Sequence, residues 1–302
     1  MNDMEKAAFH IISDSSCDLP QELTAKENIT VVPFYVSFDG EKYERELVDI
    51  KVRDFYQKMV DSPKVFPKSS MPSVQDFLDA FLPHAKAGEP IICICITSKF
   101  SGSYQSASNA REMLLEEYPQ AKIAVIDSST DTVLQGLYVL EAIKLRNQQT
   151  AFEDAVARLE VIKSTGRIFF TVGSLDYLQH GGRIGKVASI AGSILGIRPI
   201  IVLREGEIFP GGIGRGRKST VEKCLSLLLH YLEEEGGGFE RFAITIGYGY
   251  DYEEAVAIRD MALQTLRSRN YEIDDIPIHQ IGAAIGVHTG PFPVGFAVIE
   301  RA

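Results

Sequence analysis

Paired cysteines, long apolar runs and net positive charge are all missing from this sequence. Its four cysteines, Cys17, Cys93, Cys95 and Cys224, form no C-x-x-C pair, and two of them lie in one short apolar segment. They read as apolar filler in a reducing compartment, which excludes a disulfide framework and a cysteine zinc site. No apolar stretch approaches the ~18 residues of a spanning helix, and the opening MNDMEKAAFHIISDSS lacks a basic and then apolar signal region. A cytoplasmic chain with no stable membrane insertion is expected. The 41 acidic residues outnumber 31 basic ones, for a formal charge of -10, which argues against nucleic-acid binding over a broad surface. No repeat of solenoid length is present.

Residues 91–107, IICICITSKFSGSYQSA, are the most informative stretch that is there. Six consecutive apolar residues, Ile91 to Ile96, suit a strand covered on both faces in a parallel sheet. Ser98, Ser101 and Ser103 then follow its carboxyl end, where open α/β sheets hold ligands. Gly102 permits close backbone approach, and a helix starting near Ser103 points free N–H groups at an anion.

The same design recurs along the first half. A strand over 8–13 runs into Asp14-Ser15-Ser16-Cys17-Asp18 before a helix start, and KIAVIDS runs into Asp127-Ser128-Ser129 before a helix over 131–147. Three strand, polar loop and helix units specify a mostly parallel α/β sheet with its functional loops on one edge. Residues 30–45 alternate as a strand ribbon with Asp39-Gly40 at its turn, giving a small β insertion over about 30–66. DSPKVFPKSSMPS reads as a polar loop before a helix capped by Ser73.

The polar stretch NQQTAF places a boundary near 150, between an N-terminal α/β domain (1–150) and a C-terminal α+β domain (151–302). At 302 residues the chain is long enough for both, and for a buried ligand between and within them. In the second half, LDYLQHGGRIGKVASIAGSILG predicts two helical pieces separated by Gly181-Gly182. RPIIVLREGEIFPGGI predicts a hairpin turning at Glu205-Gly206. Helices over 217–235 and 252–268 alternate with strands RFAITIGYG, IPIHQIGAAIGV and VGFAVIE.

Hydroxyl-rich loops at 14–18, 69–73 and 98–106, with VHTGPFPVG at 287–295, hold most of the chemistry. His288 follows the small residues Gly282 to Gly286 and adjoins Gly290, which leaves room for a ligand; a histidine satisfied by backbone in a Pro-rich turn is the plain alternative. The other histidines lack metal-ligand spacing, so no metal site is expected. G-x-S-x-G is absent, so a hydrolase or phosphotransferase using Ser101 and His288 is the lesser alternative to simple carboxylate binding. GGIGRGRKS matches no phosphate-loop spacing.

These segments together resemble the DegV family of bacterial fatty-acid-binding proteins over nearly the whole chain. SDSSCDLP resembles the family's opening Asp-Ser-Ser/Thr motif, KSSMPS its Thr-Ser-x-Pro-Ser loop and SKFSGSYQSA its Ser-Gly-Thr-Tyr-Gln-Ser-Ala motif. LDYLQHGGRIGK with LGIRPII, RGRKS and HTGPFPVG complete the likeness. The resemblance implies a non-catalytic, two-domain carrier without cofactor, holding one long-chain fatty acid with its tail inside the N-terminal domain. By that likeness Ser69, Ser70, Ser101 and His288 bind the carboxylate, and Arg183, Asp14, Ser15, Gly102 and Thr289 support the site. A separate fatty acid kinase is the implied partner, with Arg215 and Arg217 in a segment facing it or a phosphate. Phe34, Phe38, Phe77, Phe81 and Ile94 are candidate tunnel walls, with ordinary core packing the expected role for any one of them. Phe292, in place of the glycine common after Gly-Pro, is expected to narrow the space beside His288.

Overall fold

The computed structural model describes residues 8–190, 197–236 and 238–302. The first half supplies β1 (His10–Asp14), α1 (Gln21–Lys26), β2 (Ile29–Val32), β3 (Tyr35–Ser37), β4 (Glu44–Arg45) and α2 (Val52–Asp61). β5 (Lys68–Ser70), α3 (Val74–Lys86), β6 (Ile91–Cys95), α4 (Ser103–Glu117), β7 (Ile123–Asp127) and α5 (Thr132–Asn147) follow. Strands β2, β1, β6 and β7 form, in that order, an all-parallel sheet. All five residues of β6 are buried, as their unbroken apolarity predicts. Ile92 and Ile94 face the largest apolar cluster, while Ile91, Cys93 and Cys95 pack with Phe77, Phe81, Ala107 and Leu114 of α3 and α4 on the other face.

Two expectations change here. Ile29–Val32 is not part of the ribbon: it is the parallel edge strand beside β1. The ribbon is instead β4-β3-β5, and its third strand, Lys68–Ser70, comes from the segment read as loop. Tyr35 pairs with Ser70 and Val36 with Ser69, so the ribbon fixes both serines on a strand. Pro33 explains the split, because it has no N–H to continue a ladder. The turn itself is as expected, with Gly40 at φ 78 and Asp39 accepting the Glu41 N–H at 2.8 Å.

The second half supplies α6 (Phe152–Ile162), β8 (Arg167–Thr171), α7 (Asp176–His180), β9 (Ile197–Arg204), β10 (Glu207–Arg215) and α8 (Arg217–Glu235). β11 (Phe242–Tyr248), α9 (Tyr252–Ser268), β12 (Ile278–Gln280), α10 (Ala283–Thr289) and β13 (Val294–Glu300) complete the chain. Its six-stranded sheet, β10-β9-β8-β13-β11-β12, is antiparallel except for the β11–β12 pair. The β9–β10 hairpin turns at Glu205 (φ 53) and Gly206 (φ 77), both left-handed as a tight two-residue turn requires. Of the two helical pieces around Gly181-Gly182, α7 is one and a 3-10 turn over Gly185–Ile190 the other; residues 191–196 lie outside the described residues.

IPIHQIGAAIGV is not one strand. Only Ile278–Gln280 is extended, and Ala283–Thr289 is a helix, so His288 sits in the last turn of α10. Two alanines favour helix, and Gly290 at φ 75 and ψ -172, a conformation open to glycine, ends it. Helix α5 is buried on nearly every side and packs against β1 and against β11 and β13. The largest apolar cluster therefore runs from Phe9 to Ile299 through both halves.

Candidate functional site

A cavity of about 310 Å³ opens where the β6–α4 loop, the ribbon and α10 meet the second sheet. Ser69, Ser70, Ser101, Gly102, Arg183, His288 and Thr289 all line it. Seven of the sequence-predicted residues are thus brought together from four separate segments. Phe34, Ile96, Phe100, Phe170, Leu178 and Ile208 supply the apolar wall. A smaller apolar cavity of about 30 Å³ adjoins it, sharing Asp131, Phe170, Ile285 and Thr289.

Ser69 Oγ lies 3.0 Å from His288 Nε2, while His288 Nδ1 is buried without a partner. Burial, and then the charge of Arg183, push the His288 pKa down to about 4. The imidazole is neutral above that pH. We assign the tautomer protonated on Nε2: it leaves a bare lone pair at Nδ1 in the field of Arg183, where the other tautomer would bury an unpaired N–H. Nε2–H then donates to Ser69, whose own proton is free for a ligand. A side chain at Gly181 would fill this place, since its Cβ would lie 2.1 Å from His288 Nδ1. Gly181→Ala is expected to eject the ring, moving the His288 pKa, read by NMR titration, from about 4 back toward the ordinary ~6.5. An unchanged value would contradict this packing.

Ser101 Oγ accepts the Ser103 N–H at 3.2 Å, so the serine takes one N–H at the α4 N-terminus and keeps its own O–H as a donor on the cavity wall. Gly102 lies close under Met71, whose Sδ would sit 2.6 Å from an added Cβ. Arg183 fastens this loop: its Nη2 and Nε donate to Phe100 O at 2.9 and 3.1 Å, and Nη1 donates to Gly181 O at 2.7 Å. Its charge therefore stands beside the serines without being spent on a carboxylate.

Asp14 and Ser15 lie beneath the cavity, not on its wall. Ser15 accepts the Phe34 N–H at 2.9 Å and donates to Glu46 at 2.6 Å. Glu46, fully buried, accepts the Ala284 N–H at 3.1 Å and so holds the start of α10. Burial raises its pKa. Ser15 thus reaches His288 only through the helix that carries it. Arg215 is exposed on β10, and Arg217 is bound by Glu254 through two bonds of 2.6 and 2.7 Å; neither lines the cavity.

Core packing is the role of most of the apolar wall candidates. Of the five apolar candidates only Phe34 lines the cavity: Phe38 and Ile94 pack in the main core, and Phe77 and Phe81 lie on the far face of the parallel sheet. The cavity's walls come from both halves of the chain. Phe292 does not crowd His288; it lines an outer cleft, 39% exposed, with its ring edge-on to Tyr250. The pairing of a serine with His288 is made by Ser69, not Ser101. Asp131, Glu46 and Met71 were missed. Asp131 alone had a signal, since it stands in the third strand-loop-helix unit just before its helix.

His10 and His84, whose spacing in the sequence is not metal-like, bring their ligand atoms and that of Glu89 within 4.8 Å of one another. The two rings are stacked at 3.6 Å and 17°, and they bond Thr30 and Glu89 respectively. A metal binds in the plane of each imidazole, and stacked rings share no plane, so this arrangement is a packed histidine pair. All four cysteines are free and buried, with Cys17 and Cys224 pushed by burial up to about 12. No helix among the described residues is long and apolar enough to cross a membrane.

The family model described as "Uncharacterised protein, DegV family" matches residues 8–301. The chain belongs to the DegV family. A DegV domain-containing protein of Clostridium perfringens is 32% identical over 295 residues, 96% of this chain and 98% of its own. Among solved DegV-like structures, a stearic acid-binding protein of Eubacterium ventriosum is 44% identical with a TM-score of 0.91, covering 97% of this chain and 98% of that one. A DegV family protein of Thermus thermophilus, described by its fatty acid binding, is 29% identical with a TM-score of 0.84, over 97% and 99%. The α/β architecture with its parallel sheet and additional sheets is that of these DegV neighbours.

Proposed function

We propose that the chain binds one long-chain fatty acid, with its carboxylate at Ser69, Ser70, Ser101 and His288 and its tail along the apolar walls. The observation that carries this reading is the cavity's division into a hydroxyl-lined part, whose serines stand beside Arg183, and a remainder that is apolar except for Asp131. Serine hydroxyls are the donors a carboxylate needs, with His288 Nε2–H orienting Ser69 among them, and each bond to a charged acceptor contributes about 1.5–3 kcal/mol. Burying about 15 methylenes at ~0.8 kcal/mol each supplies on the order of 10 kcal/mol before ordering costs, so the tail sets affinity and the head sets orientation. Stearic acid binding by the 44% identical Eubacterium ventriosum protein supports the same ligand class here.

Catalysis is disfavoured on physical grounds. A base whose pKa is about 4 is too weak to take a serine proton near neutrality, and no carboxylate orients Nδ1. The chain acts as a carrier, presenting the acid to a separate fatty acid kinase; the family resemblance supports that partnership, and exposed Arg215 is the nearer candidate for it than Arg217, which Glu254 already engages.

Titration with stearate and with its methyl ester tests the head-group assignment. Ser69→Ala and Ser101→Ala are each expected to weaken stearate about tenfold and to leave the ester unchanged. Equal losses for both ligands would place the serines elsewhere in the binding process and contradict the assignment.

A further inference from the structure

Asp131 is an acid among tail-facing walls. It holds the N-cap position of α5, where an aspartate ordinarily bonds an N–H of the first turn, yet its side chain makes no capping bond. That forgoes the stabilisation a capping bond gives the helix. The next residue, β-branched Thr132, is held at φ 45, a left-handed conformation that such a residue rarely adopts, and its hydroxyl is tied to Asp18. The turn built this way aims the Asp131 carboxyl off the helix and onto the seam between the two cavities, both of which it lines. Its Oδ1 is buried with no hydrogen-bond partner. Burial alone pushes its pKa up to about 7.

The position along the ligand path is informative. Ser69, Ser70, Ser101 and His288 line the larger cavity only, and beyond Asp131 the smaller one is walled by Val133, Ile168, Ile281 and Val294. The carboxyl therefore stands between the head-group site and an apolar end, where the middle of an acyl chain passes. Methylenes there leave Oδ1 dry and unpaired, which is costly for a buried polar oxygen.

We propose that Asp131 reads a hydroxyl group carried part-way along the acyl chain, making a monohydroxylated long-chain fatty acid the preferred ligand. The inference rests on the fatty-acid reading above. A hydroxyl both donates and accepts, so it satisfies the carboxyl whether that group is ionised or protonated; a keto group suits only the protonated form.

Displacement of a fluorescent fatty-acid probe by stearate and by a panel of monohydroxystearates, with the hydroxyl moved along the chain, tests it. At least one isomer is expected to bind about tenfold or more tighter than stearate. Asp131→Val is expected to abolish that preference and to strengthen stearate, while Asp131→Asn, which keeps a hydrogen-bonding side chain, retains part of it. The proposal is overturned if no isomer outbinds stearate on the wild-type chain, or if the preference survives in Asp131→Val. If stearate itself fails to displace the probe, the fatty-acid reading falls and this inference with it, so the two failures are distinct.

Discussion

Asp14→Ala is expected to destabilise the fold by about 3–5 kcal/mol, measured by chemical denaturation. The side chain is wholly buried, and its oxygens sit 2.6 Å from Ser16 Oγ and Ser103 Oγ, 2.8 Å from Gln135 Nε2 and 3.0 Å from the Ile96 N–H. These partners belong to the loop after β1, the end of β6, the start of α4 and helix α5. Truncation leaves them facing a dry void, and unpaired buried groups cost more than the bonds contribute net. Burial raises the Asp14 pKa, and its hydrogen bonds only partly counter that. Since Ser103 is anchored here and its N–H bonds Ser101 Oγ, fatty-acid affinity is expected to fall as well. A loss under about 1 kcal/mol would mean the network is not what joins these elements.

The second large effect is acid sensitivity carried by His288. Its folded pKa is about 4, against ~6.5 in an unfolded chain, so between those values the unfolded chain binds a proton that the folded one refuses. Stability from the neutral ring is present above the unfolded value and is lost as pH falls through that window, levelling off below the folded value. The depression is worth about 3 kcal/mol. His288→Gln lacks this term, so the wild-type advantage over the variant is expected to shrink by about that amount between about pH 7.5 and about pH 4. Comparison at each pH removes the opposing contributions of Asp14, Asp18 and Asp131, whose pKa values burial raises. A pH-independent difference would show that the ring is not desolvated. Bound carboxylate favours the charged ring, so ligand is expected to narrow the window.

The parts of the fold legible in the sequence are those where local pattern and burial agree. Ile91 to Ile96 reads as a covered strand because both of its faces are in fact packed, by α5 and the second sheet on one side and α3 and α4 on the other. Ser73 reads as a cap because its bond to the Asp76 N–H is local. Ile29–Val32 and Ala283–Thr289 were misread for the same reason: a short apolar run is set by what it packs against. The first is drawn into the parallel sheet by β1, and the second is held as a helix by Glu46, some 238 residues distant in sequence from Ala284. Ser69, Ser101 and His288 stand out in the sequence through hydroxyl-rich loops and family likeness, and the fold brings them to one cavity. Glu46 does not, because nothing local distinguishes a buried carboxylate from a solvated one, and the place of Asp131 just before α5 marks a helix cap rather than a cavity wall.

Native mass spectrometry of the purified chain, before and after lipid extraction, tests the central claim most directly. The expected result is a mass increment of one long-chain fatty acid per chain, removed by extraction, restored on adding the acid and lost in the combined Ser69→Ala, Ser101→Ala, His288→Ala variant. No increment on the purified protein and no uptake of added fatty acid would contradict it.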